Sequence, residues 1–162
     1  MRILSIDPGF ERLGIAILDQ SPSRKETLIY SQCFKTSPRL SFALRLALIG
    51  EELERVIKEY EPKALALEKL YFSNNQKTAM NVAEARGVII YTASRNKLPV
   101  YEYTPPQIKL AVTGYGNADK KMIIDMVPRL ISYDKKITSD DEIDAIACGL
   151  TCFAHEKFKN TL

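Results

Sequence analysis

Along the chain, short apolar runs alternate with longer segments in which apolar residues recur every three or four positions. Ile3 to Asp7, Leu13 to Asp19 and Thr27 to Phe34 are rich in strand-forming residues, with Asp7-Pro8-Gly9 and Ser21-Pro22-Ser23 as turns, which predicts three adjacent strands. From Arg39 to Tyr60 the period becomes helical. Phe42, Leu46, Ile49, Leu53, Val56, Ile57 and Tyr60 form the apolar stripe, while Arg45, Glu51, Glu52, Arg55 and Lys58 supply the wet face, and Pro62 ends the helix. Ala64 to Glu68 reads as a strand, and Gln76 to Arg95 as a helix capped by Ser73 or Asn74. Leu98 to Tyr103 is a further strand, and this strand–helix–strand order favours parallel pairing through a right-handed crossover. Thr104 caps a helix opening with Pro105-Pro106-Gln107, and Gly114-Tyr115-Gly116-Asn117 forms a loop. A helix follows from about Ala118 to Ile131, with Pro128 weakening its last turn, and a final helix starts near Ser139. Asp140, Asp141 and Glu142 lie in its first turn, where negative charge suits the helix dipole.

A length of 162 residues with 46% hydrophobic content fits one globular domain spanning residues 1–162. No apolar run approaches the ~20 residues needed to span a bilayer, and the N-terminus enters a strand without the zones of a signal peptide. The expectation is a soluble, cytoplasmic protein with no membrane partner. The three cysteines, Cys33, Cys148 and Cys152, are too few for a disulfide scaffold and suit a reducing compartment. Cys148, Cys152 and His155 share a helical face, but three ligands from one helix lack a fourth partner, so packing is the better reading than zinc. The net charge of +3 is modest. Its distribution is more telling, because Lys109, Lys120-Lys121 and Lys135-Lys136 place basic groups beside the acidic positions of the C-terminal half.

Asp7 and Glu68 each close an apolar strand, where a buried carboxylate is costly unless it is paired or bound to a cation. Asp141 and Asp144 are three residues apart on the last helix and project from one face, followed by the small residues Ala145 and Cys148 that permit close packing on a sheet. Each has a plainer reading, Asp7 as part of an Asp-Pro-Gly turn and the helix pair as ordinary first-turn acids. Together they form an oxygen-rich set suited to Mg²⁺, and two such ions about 4 Å apart can stabilise both the attacking and the leaving oxygen when a phosphodiester is broken.

The joint pattern is more specific than its parts. Ile6-Asp7-Pro8-Gly9 with Gly14, Leu67-Glu68 before an aromatic loop, Ala85-Arg86-Gly87, and Tyr103-Thr104-Pro105 leading to Lys109 are joined by Gly114-Tyr115-Gly116-Asn117-Ala118-Asp119-Lys120 and Asp141-Glu142-Ile143-Asp144-Ala145. Over residues 3 to about 150 the chain resembles the RuvC-type Holliday-junction resolvases. The resemblance implies an α/β, RNase H-like fold with a mixed five-stranded sheet flanked by helices, and a homodimer that nicks four-way DNA junctions symmetrically. It implies Asp7, Glu68, Asp141 and Asp144 as the catalytic ligands of Mg²⁺, two ions per subunit with Mn²⁺ as a substitute, and Lys109 and Lys120 as catalytic groups close to the DNA. Arg86, Lys121, Tyr71 and Phe72 complete the expected DNA contacts, the aromatics by base stacking against a core-packing alternative. A branch-migration motor is a further expected partner. Many members carry a small hydroxyl residue where this chain has Leu13, after a charged approach through Glu11-Arg12, which bears on DNA contacts there. Two other readings share the fold, an RNA-cutting enzyme of the YqgF type and a non-catalytic junction-binding protein.

Overall fold

The computed structural model describes residues 1–21, 25–70, 76–134 and 136–159. Strands β1 (Arg2–Asp7), β2 (Arg12–Asp19) and β3 (Thr27–Lys35) precede helix α1 (Phe42–Tyr60). After β4 (Leu65–Glu68) come α2 (Gln76–Arg95), β5 (Val100–Tyr103), α3 (Pro105–Thr113), α4 (Lys120–Leu130) and α5 (Asp140–Lys159). The sheet order is β3-β2-β1-β4-β5, antiparallel from β3 to β1 and parallel from β1 to β5. It is therefore mixed and five-stranded, as the resemblance implies.

Strand periodicity sorts the side chains into two cores. Leu4, Ile6, Leu13, Ile15, Ile17, Leu65 and Leu67 face α1 and α2, packing on Ile49, Leu53, Val56, Ala85 and Ile89. Ile3, Ala16, Leu18, Ala66 and Tyr103 face α3, α4 and α5, meeting Ile108, Ile123, Val127, Ile146 and Phe153. Successive strand residues point to opposite faces, so Arg12 and Gly14 lie on the α5 side while Leu13 is buried against the other helices.

Local boundaries follow side-chain chemistry. Helix α1 starts after Ser41, whose hydroxyl accepts from the Leu44 amide at 3.3 Å, and ends where Glu61 turns into the left-handed region at φ 48°. A capping box between Thr104 and Gln107 opens α3, and the Asp119 carboxylate opens α4. Pro128 does not end α4, which continues to Leu130 with Ile123 and Val127 anchored in the core. One expectation fails: Arg45 is buried rather than on the wet face. Its Nε donates to Thr36 Oγ1 at 2.8 Å, its Nη2 donates to the Phe10 carbonyl at 3.4 Å, and the guanidinium lies over the Phe10 ring. Those contacts satisfy the buried cation and hold the turn that follows Asp7. Among the described residues no helix is long and apolar enough to cross a membrane.

Candidate active site

Parallel pairing places Ile6 opposite Leu67, so Asp7 and Glu68 come next in register at neighbouring strand ends, on the face covered by α5. Helix α5 approaches that face closely because two glycines leave room. A Cβ on Gly149 would lie 2.6 Å from Leu18 Cδ1 and 2.8 Å from Ser5 Oγ. A Cβ on Gly14 would lie 2.1 Å from the Asp141 carbonyl oxygen and 3.0 Å from Asp7 Cβ, so β2 and the first turn of α5 touch at the acidic cluster. The Gly14 contact is with backbone and needs a residue without a side chain, whereas at Gly149 the groups met are the ends of buried side chains.

The start of α5 is held by a group that sequence reasoning treated only as a dipole partner. Glu142 is buried, and its Oε1 accepts from the Thr138 amide at 3.1 Å and the Thr138 hydroxyl at 2.7 Å, while Ser31 on β3 donates to Oε2. The Glu142 amide in turn donates to Ser139 Oγ at 3.3 Å. Ser139-x-x-Glu142 is the spacing of a capping box, so the signal was present in the sequence. The link to β3 has no local signature.

The four carboxylates perturb one another. Burial, followed by the charges of Asp144, Glu68 and Asp141, pushes Asp7 up to about 8. Burial and the charge of Asp144 push Glu68 up to about 7. Asp144 is also raised by burial, although Lys120 pairs with its Oδ2 and opposes the rise. Burial acts upward on Asp141 too, but hydrogen bonds from Arg12 and the Cys33 thiol outweigh it and hold the group below its usual value. Among the described residues the carboxylates of Asp7 and Glu68 have neither a hydrogen-bond donor nor an ion-pair partner.

A cleft of about 270 Å³ opens beside them, lined by Glu68, Asp144, Lys109, Lys120, Pro105, Ile108 and Ile123. Lys109 and Lys120 thus flank the acids, whereas Lys121 is exposed and outside the cleft lining. Arg86 approaches from behind: its Nε donates to the Glu68 carbonyl at 3.3 Å and its Nη2 pairs with Glu102 on β5. Tyr71 and Phe72 lie outside the described residues. Leu13 is buried away from the cleft, and it is the neighbouring Arg12 that reaches Asp141. Cys148 and Cys152 are buried and His155 packs on the Tyr103 ring, centroids 5.1 Å apart.

The donor set suits a hard divalent cation, since among the described residues Asp7 and Glu68 have no direct ion pair and burial disfavours their charged forms despite the nearby charge of Lys120. Among the described residues, however, no three acidic, cysteine or histidine groups already enclose one point as a cage would. Asp141 and Asp144 are instead engaged by Arg12 and Lys120. The acidic cluster thus lies at the ends of the central strands of the mixed sheet. A family profile described as crossover junction endodeoxyribonuclease RuvC matches residues 3–152. The crossover junction endodeoxyribonuclease RuvC of Thermosipho melanesiensis is 44% identical over 156 residues, covering 96% of this chain and 98% of that protein. The protein of the same description from Finegoldia magna is 40% identical over 159 residues, covering 98% and 96%. The solved structure of T. thermophilus RuvC in complex with Holliday junction substrate superposes with a TM-score of 0.91 at 28% identity, covering 98% of this chain and 96% of that one. The chain belongs to the RuvC family.

Proposed function

We propose that this protein is a structure-selective endodeoxyribonuclease that resolves four-way DNA junctions by hydrolysing phosphodiesters directly, with no covalent enzyme intermediate. The observation that carries the reading is the convergence of Asp7, Glu68, Asp141 and Asp144 at one sheet end, two of them without a cationic partner among the described residues. Asp7, Glu68 and Asp144, joined by Asp141, would hold Mg²⁺, with Mn²⁺ as a substitute and two ions per subunit. Bound there, such ions activate a water as nucleophile and neutralise charge on the leaving oxygen. Lys109 and Lys120 line the cleft and hold the phosphate whose charge grows in the transition state. Lys121 adds a backbone contact on the adjoining surface, Tyr71 and Phe72 supply stacking, and Arg86 fixes Glu68 through its carbonyl while adding positive potential toward the DNA.

A two-fold homodimer presents one acidic cleft to each of two opposed strands, matching the symmetry of the junction. Helix α2 offers a surface for it: Met80, Ala83, Gly87 and Tyr91 form an exposed stripe, next to a shallow groove with α1 lined by Leu46, Gly50 and Val88. One globular domain, a cytoplasmic location and cooperation with a branch-migration motor complete the reading.

Cleavage of a labelled synthetic four-way junction and a matched linear duplex, with Mg²⁺ and with EDTA, tests it. Wild type should nick the junction in paired positions only with Mg²⁺. Asp7→Asn should bind the junction as wild type does while cutting at least ~10³-fold more slowly, within the range assigned to metal-assisted steps. Equal cutting of duplex, or cutting of RNA alone, would overturn the junction assignment; equal loss of binding and cutting in Asp7→Asn would make that residue structural.

A further inference from the structure

Arg12 opens β2, two residues before the glycine that seats α5, and its guanidinium lies on the fourth carboxylate. Its Nε donates to Asp141 Oδ2 at 3.0 Å and its Nη2 donates to the same oxygen. Both donors therefore meet one oxygen instead of forking across the carboxylate, an arrangement weaker than the bidentate pairing that arginine makes with carboxylates and phosphates. The two partners are unequally fixed. The Arg12 side chain is 53% exposed and Asp141 only 19%, and the Asp141 backbone is pressed against Gly14. Arg12 is the member free to leave. The Asp141 it holds is three residues before Asp144, which lines the cleft, and a phosphodiester can occupy both arginine donors through two oxygens.

We propose that Arg12 is a phosphate-binding residue parked on Asp141: a DNA phosphate entering the cleft takes the guanidinium and releases Asp141 to complete the acidic set. This rests on the nuclease reading above. It accounts for the absence, among the described residues, of a ready-made cage, because Asp141 is engaged before the substrate arrives. It also makes metal binding and DNA binding reciprocally favourable, each strengthening the other by the same factor. Arg12 is in this sense a positioning residue acting through Asp141, and its ligand is the DNA backbone irrespective of base sequence.

The test uses the full chain and readouts other than turnover. Mn²⁺ titrated into DNA-free protein and followed by electron paramagnetic resonance should bind R12A roughly two- to fivefold more tightly than wild type, the range set by losing one exposed ion pair. Arg12→Gln should do the same. On an Asp141→Asn background R12A should change nothing, since the competed oxygen is gone. Junction binding without divalent ions, measured across salt concentrations, should show a log–log slope shallower by about one in R12A and unchanged in Arg12→Lys. Mn²⁺ binding that is weaker or unchanged in R12A would mean that Arg12 supports Asp141 instead of competing for it, and an unchanged salt slope would mean that it never meets a phosphate; either result overturns the proposal. Failure of wild type to bind junctions at all would overturn the functional reading, and the Mn²⁺ comparison would still decide whether Arg12 and metal compete.

Discussion

Asp7 and Glu68 keep their protons, when folded and metal-free, far above the pH at which the unfolded chain releases them: to about 8 against an ordinary 3.8, and to about 7 against 4.5. The folded state therefore binds more protons across this window, so stability falls as pH rises through it; below about pH 4 both states are protonated and the penalty vanishes. Asp141 runs the other way, since its lowered value favours the folded state once pH exceeds that value and the contribution is lost as pH falls. Well above the ordinary 3.8 that contribution no longer changes with pH, so near neutrality the dependence comes from the raised pair. Metal-free protein should melt at least ~2–4 °C lower at about pH 8.5 than at about pH 5.5, the shift that ~1 kcal/mol produces in a chain of this size, and Mg²⁺ should restore more at the higher pH. Thermal unfolding with EDTA and with Mg²⁺ reads this directly. Asp7→Asn removes the largest source of the penalty and should flatten the metal-free pH dependence; an unchanged curve would relocate the titration to other groups. All four carboxylates were legible in the sequence because each sits at a place of known direction, a strand end or one helix face. Arg12 and Cys33 were not, because β2 and β3 are distant in sequence from α5 and only the folded sheet brings them to Asp141.

At the level of elements, the seating of α5 decides whether the cluster exists. The Cβ of Gly14→Ala would meet a backbone carbonyl instead of a flexible side-chain end, so the first turn of α5 must shift. Such overpacking typically costs ~1–3 kcal/mol. We expect a lower melting temperature together with loss of cutting beyond what partial unfolding explains, measured by thermal unfolding and by junction cleavage well below the melting point. Glu142→Ala leaves the Ser31 hydroxyl and the Thr138 amide without their carboxylate, and loss of a buried hydrogen-bonding partner costs ~1–3 kcal/mol. A drop of this size in denaturant unfolding, with Glu142→Gln recovering part of it, is the expected outcome. Strand and helix order was readable from periodicity and the cap at Thr104 from residue type, whereas the Asp119 cap was not, since the helix was expected to start one residue before it. The burial of Arg45 was not readable, because an arginine at a stripe-edge position looks solvated until Thr36 and the Phe10 carbonyl are folded around it.

For the whole molecule, the exposed α2 stripe allows assembly to be separated from folding. Nothing lies within 4 Å of a Cβ built on Gly87, so Gly87→Arg should fold with the wild-type melting temperature. If the stripe is the dimer surface, the same variant should sediment as a monomer at micromolar concentration, and an unchanged sedimentation coefficient would move the interface elsewhere. The cluster itself joins Asp7 on the first strand to Asp144 on α5, almost the full span of the described chain. Loop closure over such a separation is paid late in folding, after the local elements have formed. A chain halted after β4 has emerged but before α5 is made would thus carry Asp7 and Glu68 but neither helix carboxylate, so a fragment from synthesis aborted in that interval holds only half of the acidic set.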